Sequence, residues 1–595
     1  MGKRKRQEHR GDPGRTSDRV APYALLVAIA TALWLGIFLF RLLGPPNLLA
    51  NDQEKTAAYV LDAYANGNWI IQQDAVGNVS SKPPMMTWLM ALTAVASGGV
   101  DDFSLYLAPG LCVLAVTWMI LAVGWFARNQ TAGFLGAMAY LLSTAAFKQV
   151  HLARTDPLFS VFVFGGALLV WRAATGRGSW NWFWLVAALA TLTKGPLGLL
   201  IPLLGLPGLM LAPREHDVSD ELTIDGVRRE KRRRTIQRTI RSLVPGLAIF
   251  LGIVGLWALL ALAVEGRALI QKMIGDELVG HALESGGGKR PFQNAHIPIL
   301  YFASRFMPWS LLAFWGIGTL VVRARGGDST IPFFLASYLV LGLALFSIFP
   351  HHRWEHQYPL LPAAALLAGW QLSAIFSARD TRRLAFLLPA VGAVVVAGGI
   401  AFQYFLPPQR VKESIISREA AAYIRESLGS EFPVMHVDST MGTQFYLGTM
   451  RQRVSRDQAR AALRSPRAAY VLVRGEESLA FLQADAGIHP IHEIKRWTVP
   501  GEEEAFLRLV SNRNAPDRSA RVVFYDQGLR VEADGLDVAR LTRHALRFTR
   551  RVAGSSLRIV NETGSPAAAR LEITGLGDPV SENVTLAPGA EFRLP

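Results

Sequence analysis

The sequence predicts a polytopic α-helical membrane protein carrying a soluble, mixed α/β and β-rich C-terminal region, and three observations support this. Of its 595 residues 51% are hydrophobic, and mean hydropathy is positive at +0.24. Apolar runs of about 20 residues, the length that crosses a bilayer, recur as far as residue 406. Beyond about Pro407 the pattern changes to amphipathic helices and short alternating strands.

The basic tail comes first. "MGKRKRQEHR" precedes the first apolar run, and "VRREKRRRTIQRTIR" (227–241) lies in a hydrophilic loop between two later runs. A net charge of +16 in a soluble chain would point to nucleic acid. Here the clusters read as cytoplasmic anchors that also attract anionic membrane lipid, and with no nucleic-acid-binding fold beside them that partner is excluded. Residues 1–20 are therefore expected to form a cytoplasmic tail. The run from Ala21 to Leu43 is too long and uniform for a cleaved signal and lacks a small-residue cleavage site, so it reads as the first span.

Eleven spans are expected, near 21–43, 104–127, 132–150, 157–173, 181–193, 196–212, 244–264, 307–323, 331–349, 358–377 and 384–406. With the N-terminus inside, the inner loops begin near Arg128, Arg172, Arg214, Arg323 and Arg379, so each inner loop opens with arginine. An odd number of spans places the C-terminus outside. Residues 407–514 read as an extracytoplasmic α/β domain, from "AAAYIRESLG", "FPVMHVDS" and "AAYVLVRG", and 515–595 as a β-rich domain with turn-punctuated strands. The single cysteine, Cys112, lies inside a span, so no disulfide is expected in these outer parts.

The first outer loop, about Gly44 to Phe103, holds "EKTAAYVLDAYANGNW" and "PPMMTWLMALTAVA". The second has prolines where a helix start tolerates them but only about 15 apolar residues, so two surface helices fit better than a hairpin through the membrane. Lys82 then sits at the outer interface. Arg154 and Asp156 in "VHLARTDPLF", Lys194 in "TLTKGPLGLL", and His356 and Tyr358 in "SIFPHHRWEHQYPLLP" are expected on the same face, as are Asp52 and Lys55. Ionisable groups at that depth are costly unless they pair or line a wet cavity, which makes their gathering a candidate site. Each also has a plain structural role open to it: Lys82 and Lys194 as snorkelling anchors, Asp52 as a helix cap, Asp156 as the partner of Arg154. The histidines of "HHRWEH" make no complete ligand set, so a metal or other cofactor is not indicated.

Six segments in order resemble the GT-C fold membrane glycosyltransferases that take sugar from a polyprenyl-phosphate donor, the lipid A aminoarabinose transferases and the dolichyl-phosphate-mannose protein mannosyltransferases. They are "NDQEKTAAYVLDAYANGNWI", "SKPPMMTWLMAL", "ARTDPLFSVF", "TLTKGPLGLLIPLL", "RPFQNAHIPILYFASRFMPW" and "HQYPLLPAAALLAG", spread through about residues 20–410. The resemblance implies a GT-C catalytic domain over 21–406. It implies Asp52 as the catalytic acid, Asp156 as a second acid, Lys82 on the donor phosphate, and Lys194 and Tyr358 lining the cavity. Two departures stand out: Gln53 follows Asp52 where the family often has Glu, and Ser81 precedes Lys82 where it often has an acid.

The residue types fit this chemistry on their own. A sugar on a lipid phosphate already has a good leaving group, whose growing charge Lys82 with Lys194 or Arg154 can stabilise. Asp52 can orient the acceptor and remove a hydroxyl proton, with inversion at the anomeric centre. The expected partners are a polyprenyl-phosphate sugar and an envelope acceptor, whether glycolipid, glycan or protein, at the outer leaflet of the inner membrane. A lipid-linked sugar flippase would instead place polar groups along the middle of several spans with repeat symmetry. A membrane-anchored binding protein leaves the loop residues unexplained.

Overall fold

A computed structural model describes residues 22–594 apart from 51–52, 213–223, 267–268, 270, 272, 274–293, 324–329, 350–351, 377, 452, 485–489 and 543–544. Asp52 and the glycine-rich stretch 276–293 lie outside the described residues.

All eleven apolar windows fall on helical segments. The first half contains α1 (Tyr23–Leu43), α2 (Gln53–Asn66), α3 (Met85–Ser97), α4 (Asp102–Phe126), α5 (Gln130–Leu141), α6 (Thr144–Val150), α7 (Asp156–Ala174) and α8 (Trp180–Lys194). Among the described residues six helices are long and apolar enough to cross a membrane, or seven if the pair Ile297–Arg305 and Trp309–Leu320, bent by 112°, is one span. The protein is thus a multi-pass membrane protein. The remaining expected spans are shorter or interrupted for local reasons. Ser143 caps α6 through its hydroxyl and so divides 132–150, while Pro196 and Pro202 divide 196–212 into short helical pieces.

Small residues allow the helices to approach closely. A Cβ on Gly369 would lie 2.2 Å from the carbonyl oxygen of Ala132, which leaves no room for a side chain between α5 and the helix Leu361–Ile375. A continuous apolar core joins these helices to α1, α4 and α7, and includes Trp34, Tyr106, Phe134, Phe164 and Phe334.

The loop between α1 and α4 is helical where expected, in α2 and α3. Between them a carboxylate organises the chain: buried Asp62 accepts from the Asn66 and Asn68 side chains at 2.7 and 2.9 Å and from the Gln73 amide at 2.9 Å. Pro84 stands at the N-cap of α3, so Lys82 lies just before the helix starts.

After residue 405 the chain forms a four-stranded sheet of order β1-β2-β4-β3 (Met435–Val437, Tyr470–Val473, His492–Thr498, Ala505–Ser511 in chain order), with helices between strands. Two further four-stranded sheets follow, β11-β10-β8-β7 and β12-β9-β6-β5, built from β5 (Val522–Asp526), β6 (Leu529–Asp534), β7 (Leu536–Thr542), β8 (Ala545–Arg550), β9 (Ser556–Asn561), β10 (Ala567–Gly575), β11 (Val580–Leu586) and β12 (Glu591–Leu594). The β5–β6 hairpin turns on Gln527 and Gly528, both at positive φ, as a two-residue turn matched to strand twist requires. One apolar cluster runs from Met435 and Val471 to Phe524, Ile559 and Ile573, so the first sheet and the later ones share a core.

His436 is buried in that shared region with Nδ1 3.0 Å from the Ser439 hydroxyl. Burial, with Arg451 and Arg453 nearby, lowers its pKa to about 3. Below about pH 6.5 the unfolded chain takes up a proton that the folded form refuses, so this contribution is fully present above 6.5 and is lost as pH falls toward 3. The difference in unfolding free energy between the native protein and His436→Gln should therefore shrink by about 1.4 kcal/mol per pH unit in that window. Thermal or denaturant unfolding of the two proteins from pH 7 to 4 checks it, and a constant difference would refute it.

Candidate active site

The ends of α7 and α8 build the centre of the site. Asp156 opens α7 with Pro157 behind it, and Lys194 closes α8 where Gly195, at φ +96, and Pro196 stop the helix. The two helices pack together, bringing a carboxylate at one helix N-terminus against an ammonium at another's C-terminus. Each charge thereby faces the helix end whose dipole favours it. Asp156 is 2% exposed, and its Oδ1 accepts a hydrogen bond from Lys194 Nζ. The Arg154 Nε lies 3.8 Å from Asp156 Oδ2.

A second acid completes the network. The 3₁₀ turn Trp354–Leu360 packs on α7, and its Glu355 accepts from Arg154 Nη1 at 2.6 Å. Arg154 is therefore held between two carboxylates on separate elements. The charge of Lys82 also acts on Asp156. Lys148 on α6 stands 5.4 Å over the Trp354 ring and interacts with Glu355, Arg154 and Arg305. Cations outnumber acids in this cluster, the balance expected where an anion is to be received. Among the described residues Thr155 Oγ1 at the N-cap of α7, Ser160 Oγ on α7 and Gln357 Oε1 on the turn are buried without a hydrogen-bond partner. Such atoms call for an explanation, and a polar ligand supplies one.

The other expected residues divide. Tyr358 is fully buried, with its hydroxyl 2.5 Å from that of Tyr140. His356 lies with its ring stacked on Phe346 at 6.2 Å between centroids. Lys55 is exposed on α2. Asp52 lies outside the described residues, but its chain neighbour Gln53 is fully buried and accepts from the amide of Ala153 at 2.8 Å. The loop between α1 and α4 is thus tied to the segment that carries Arg154 and Asp156. Glu355 belongs to the polar segment "HHRWEHQY" expected on this face, whereas Lys148 was not singled out from sequence. For Lys148 the available signal was its setting, a charge inside an otherwise apolar segment. Among the described residues no group of three or more His, Cys, Asp or Glu converges as a metal would require.

The soluble region packs on the same loop. Leu49 N–H donates to Ser414 Oγ at 3.0 Å, Gly442 N–H to Glu54 Oε1 at 3.2 Å, and Arg453 N–H to the Ala75 carbonyl at 2.8 Å. Burial raises the Glu54 carboxyl above the usual range, against the pull of the Gly442 amide, Arg453 and Arg474.

Residues 81–221, which include Lys82, Arg154, Asp156 and Lys194, match the family model described as dolichyl-phosphate-mannose-protein mannosyltransferase. Over 210 residues the chain is 25% identical to the undecaprenyl phosphate-alpha-4-amino-4-deoxy-L-arabinose arabinosyl transferase of Enterobacter sp. (strain 638), covering 33% of this chain and 36% of that one. An uncharacterized protein of Aquifex aeolicus (strain VF5) is 27% identical over 157 residues, 26% of this chain and 36% of its own. The chain spans little more than a third of the length of these curated relatives. The architecture has a counterpart in the crystal structure of ArnT from Cupriavidus metallidurans in the apo state, with a TM-score of 0.61 at 16% identity over 82% of this chain and 98% of that chain. The chain has the GT-C fold. The same ArnT bound to undecaprenyl phosphate matches this GT-C chain with a TM-score of 0.59, also at 16% identity. The resemblance read from the six motifs therefore holds at the level of fold, and the GT-C chain carries a β-rich C-terminal region in three sheets.

Proposed function

We propose that this protein is an integral-membrane glycosyltransferase that moves a sugar from a polyprenyl-phosphate donor to an envelope acceptor at the outer leaflet of the inner membrane. The observation that carries the reading is the buried Asp156 held by Lys194 and Arg154 within reach of the Lys82 charge. The relative that binds undecaprenyl phosphate shares the fold, and the arabinosyl transferase shares part of the sequence.

In the donor the phosphate is a diester with one negative charge. When the bond between the anomeric carbon and the phosphate oxygen breaks, the electron pair stays with that oxygen and the leaving polyprenyl phosphate gains a second charge. Lys82, with Lys194 and Arg154 behind it, stabilises that charge where it develops. The acceptor oxygen attacks the opposite face of the anomeric carbon and inverts it. If the acceptor is a hydroxyl, Asp52 takes its proton; if it is a phosphate, Asp52 only orients it. Asp156 and Glu355 keep the cations in place rather than contacting the sugar.

The test is transfer of labelled sugar from an undecaprenyl-phosphate donor in proteoliposomes, followed by mass spectrometry of glycolipid, glycan and protein fractions. The native protein is expected to label one fraction, and Lys82→Ala to lower the rate about 100-fold without loss of insertion. No labelled product from the native protein with any donor sugar would overturn the reading. Donor movement between leaflets without a product would favour a flippase.

A further inference from the structure

Gln53 stands where the resembling family often carries Glu, and the structure contains a reason for the amide. Its side-chain Nε2 donates to the carbonyls of Asn47 and Ala50, each at 3.0 Å, while Oε1 accepts from the Ala153 N–H at 2.8 Å. Two carbonyls on one side and one amide on the other determine which atom is nitrogen. A carboxylate can accept from Ala153 but has nothing to donate to the two carbonyls. The side chain is fully buried, so water does not replace the lost partners.

The bonded groups belong to different parts of the molecule. Asn47 and Ala50 precede α2 in the first outer loop, whereas Ala153 directly precedes Arg154. Asn47 strengthens the joint, since its Nδ2 donates to the His151 carbonyl at 3.3 Å and its Oδ1 accepts from the Tyr106 hydroxyl at 2.8 Å. Arg154 in turn bridges Glu355 and Asp156. The first outer loop, on which Lys82 also lies, and the Arg154 segment are thus locked at one buried amide.

We infer that Gln53 is a positioning residue: it sets the register between the first outer loop and the Arg154–Asp156 segment so that cations from both converge on the donor phosphate. The inference rests on the glycosyltransferase reading for its consequence but not for the clamp itself. In Gln53→Glu the ionised carboxyl would face the Asn47 and Ala50 carbonyls, and protonation would restore one donor. The ratio of variant to native kcat therefore rises as pH falls. A displacement of this kind typically costs rate by about 10- to 100-fold per folded molecule. Gln53→Met, similar in length and without hydrogen bonds, should lose as much with a ratio that does not vary with pH, and it carries the test if the charged variant fails to fold.

Two measurements on the full-length protein decide the matter. Amide hydrogen exchange over residues 151–156 should accelerate in Gln53→Met, and unchanged exchange overturns the clamp whatever the enzyme does. Kinetics per folded molecule from pH 8 to 5 should show the lowered kcat and the rising Gln53→Glu ratio. Accelerated exchange with native kcat, or a flat ratio for Gln53→Glu, overturns the positioning role. A native protein without transfer activity counts against the functional reading, and exchange still decides the clamp.

Discussion

Asp52→Asn is expected to reduce sugar transfer to a hydroxyl acceptor by about 10²- to 10⁴-fold, the range over which a positioned general base acts. Asparagine keeps the size and one acceptor atom, so folding and insertion should be unaffected and donor affinity nearly unchanged. The loss should therefore fall on kcat. It also discriminates between acceptor classes: a phosphate acceptor brings no proton to remove, and with it the variant should lose only the smaller share that comes from orientation. Rates measured with the acceptor identified by mass spectrometry check this. Full activity of Asp52→Asn on a hydroxyl acceptor would remove Asp52 from the mechanism.

The second large effect concerns the pair at the ends of α7 and α8. Lys194→Met alone takes the directly bonded cation from buried Asp156 and leaves it, among the described residues, with Arg154 at 3.8 Å and the charge of Lys82. Breaking a buried pair in this way typically costs about 3–5 kcal/mol, so this variant should be poorly folded as well as inactive. The double variant Asp156→Asn with Lys194→Met removes both charges together and should recover most of that stability. Its transfer rate should nonetheless stay about 10³-fold below native, because a cation proposed to stabilise the leaving phosphate is gone. Thermal unfolding in detergent and transfer in proteoliposomes give the two readouts. Recovery of both stability and rate in the double variant would make the pair purely structural.

These outcomes bear on residues that were legible in the sequence to different degrees. Asp156 and Lys194 could be picked out because a charge in an apolar stretch is expensive, and such costs are visible one residue at a time. Their partnership was less so: Lys194 and Asp156 are 38 positions apart, and only the packing of α7 on α8 brings them together. Glu355 is 201 positions from Arg154 and entered through the turn that follows the helix Thr330–Ile348. Tyr358, expected to line the cavity, has its hydroxyl 2.5 Å from that of Tyr140 on α5. Nothing local to either tyrosine specifies that contact.

By itself the sequence determined the membrane class, the helical windows, the two loop helices and the composition change after residue 406. These follow from hydropathy, proline placement and period, which act over a few residues. The link between the C-terminal region and the loop after α1, the core shared by its sheets and the hydrogen bonds of Gln53 were decided by tertiary structure alone. At position 53 the reason is geometric: an amide and a carboxylate differ little in a linear pattern. They differ decisively once two carbonyls and an N–H from distant segments enclose the side chain away from water.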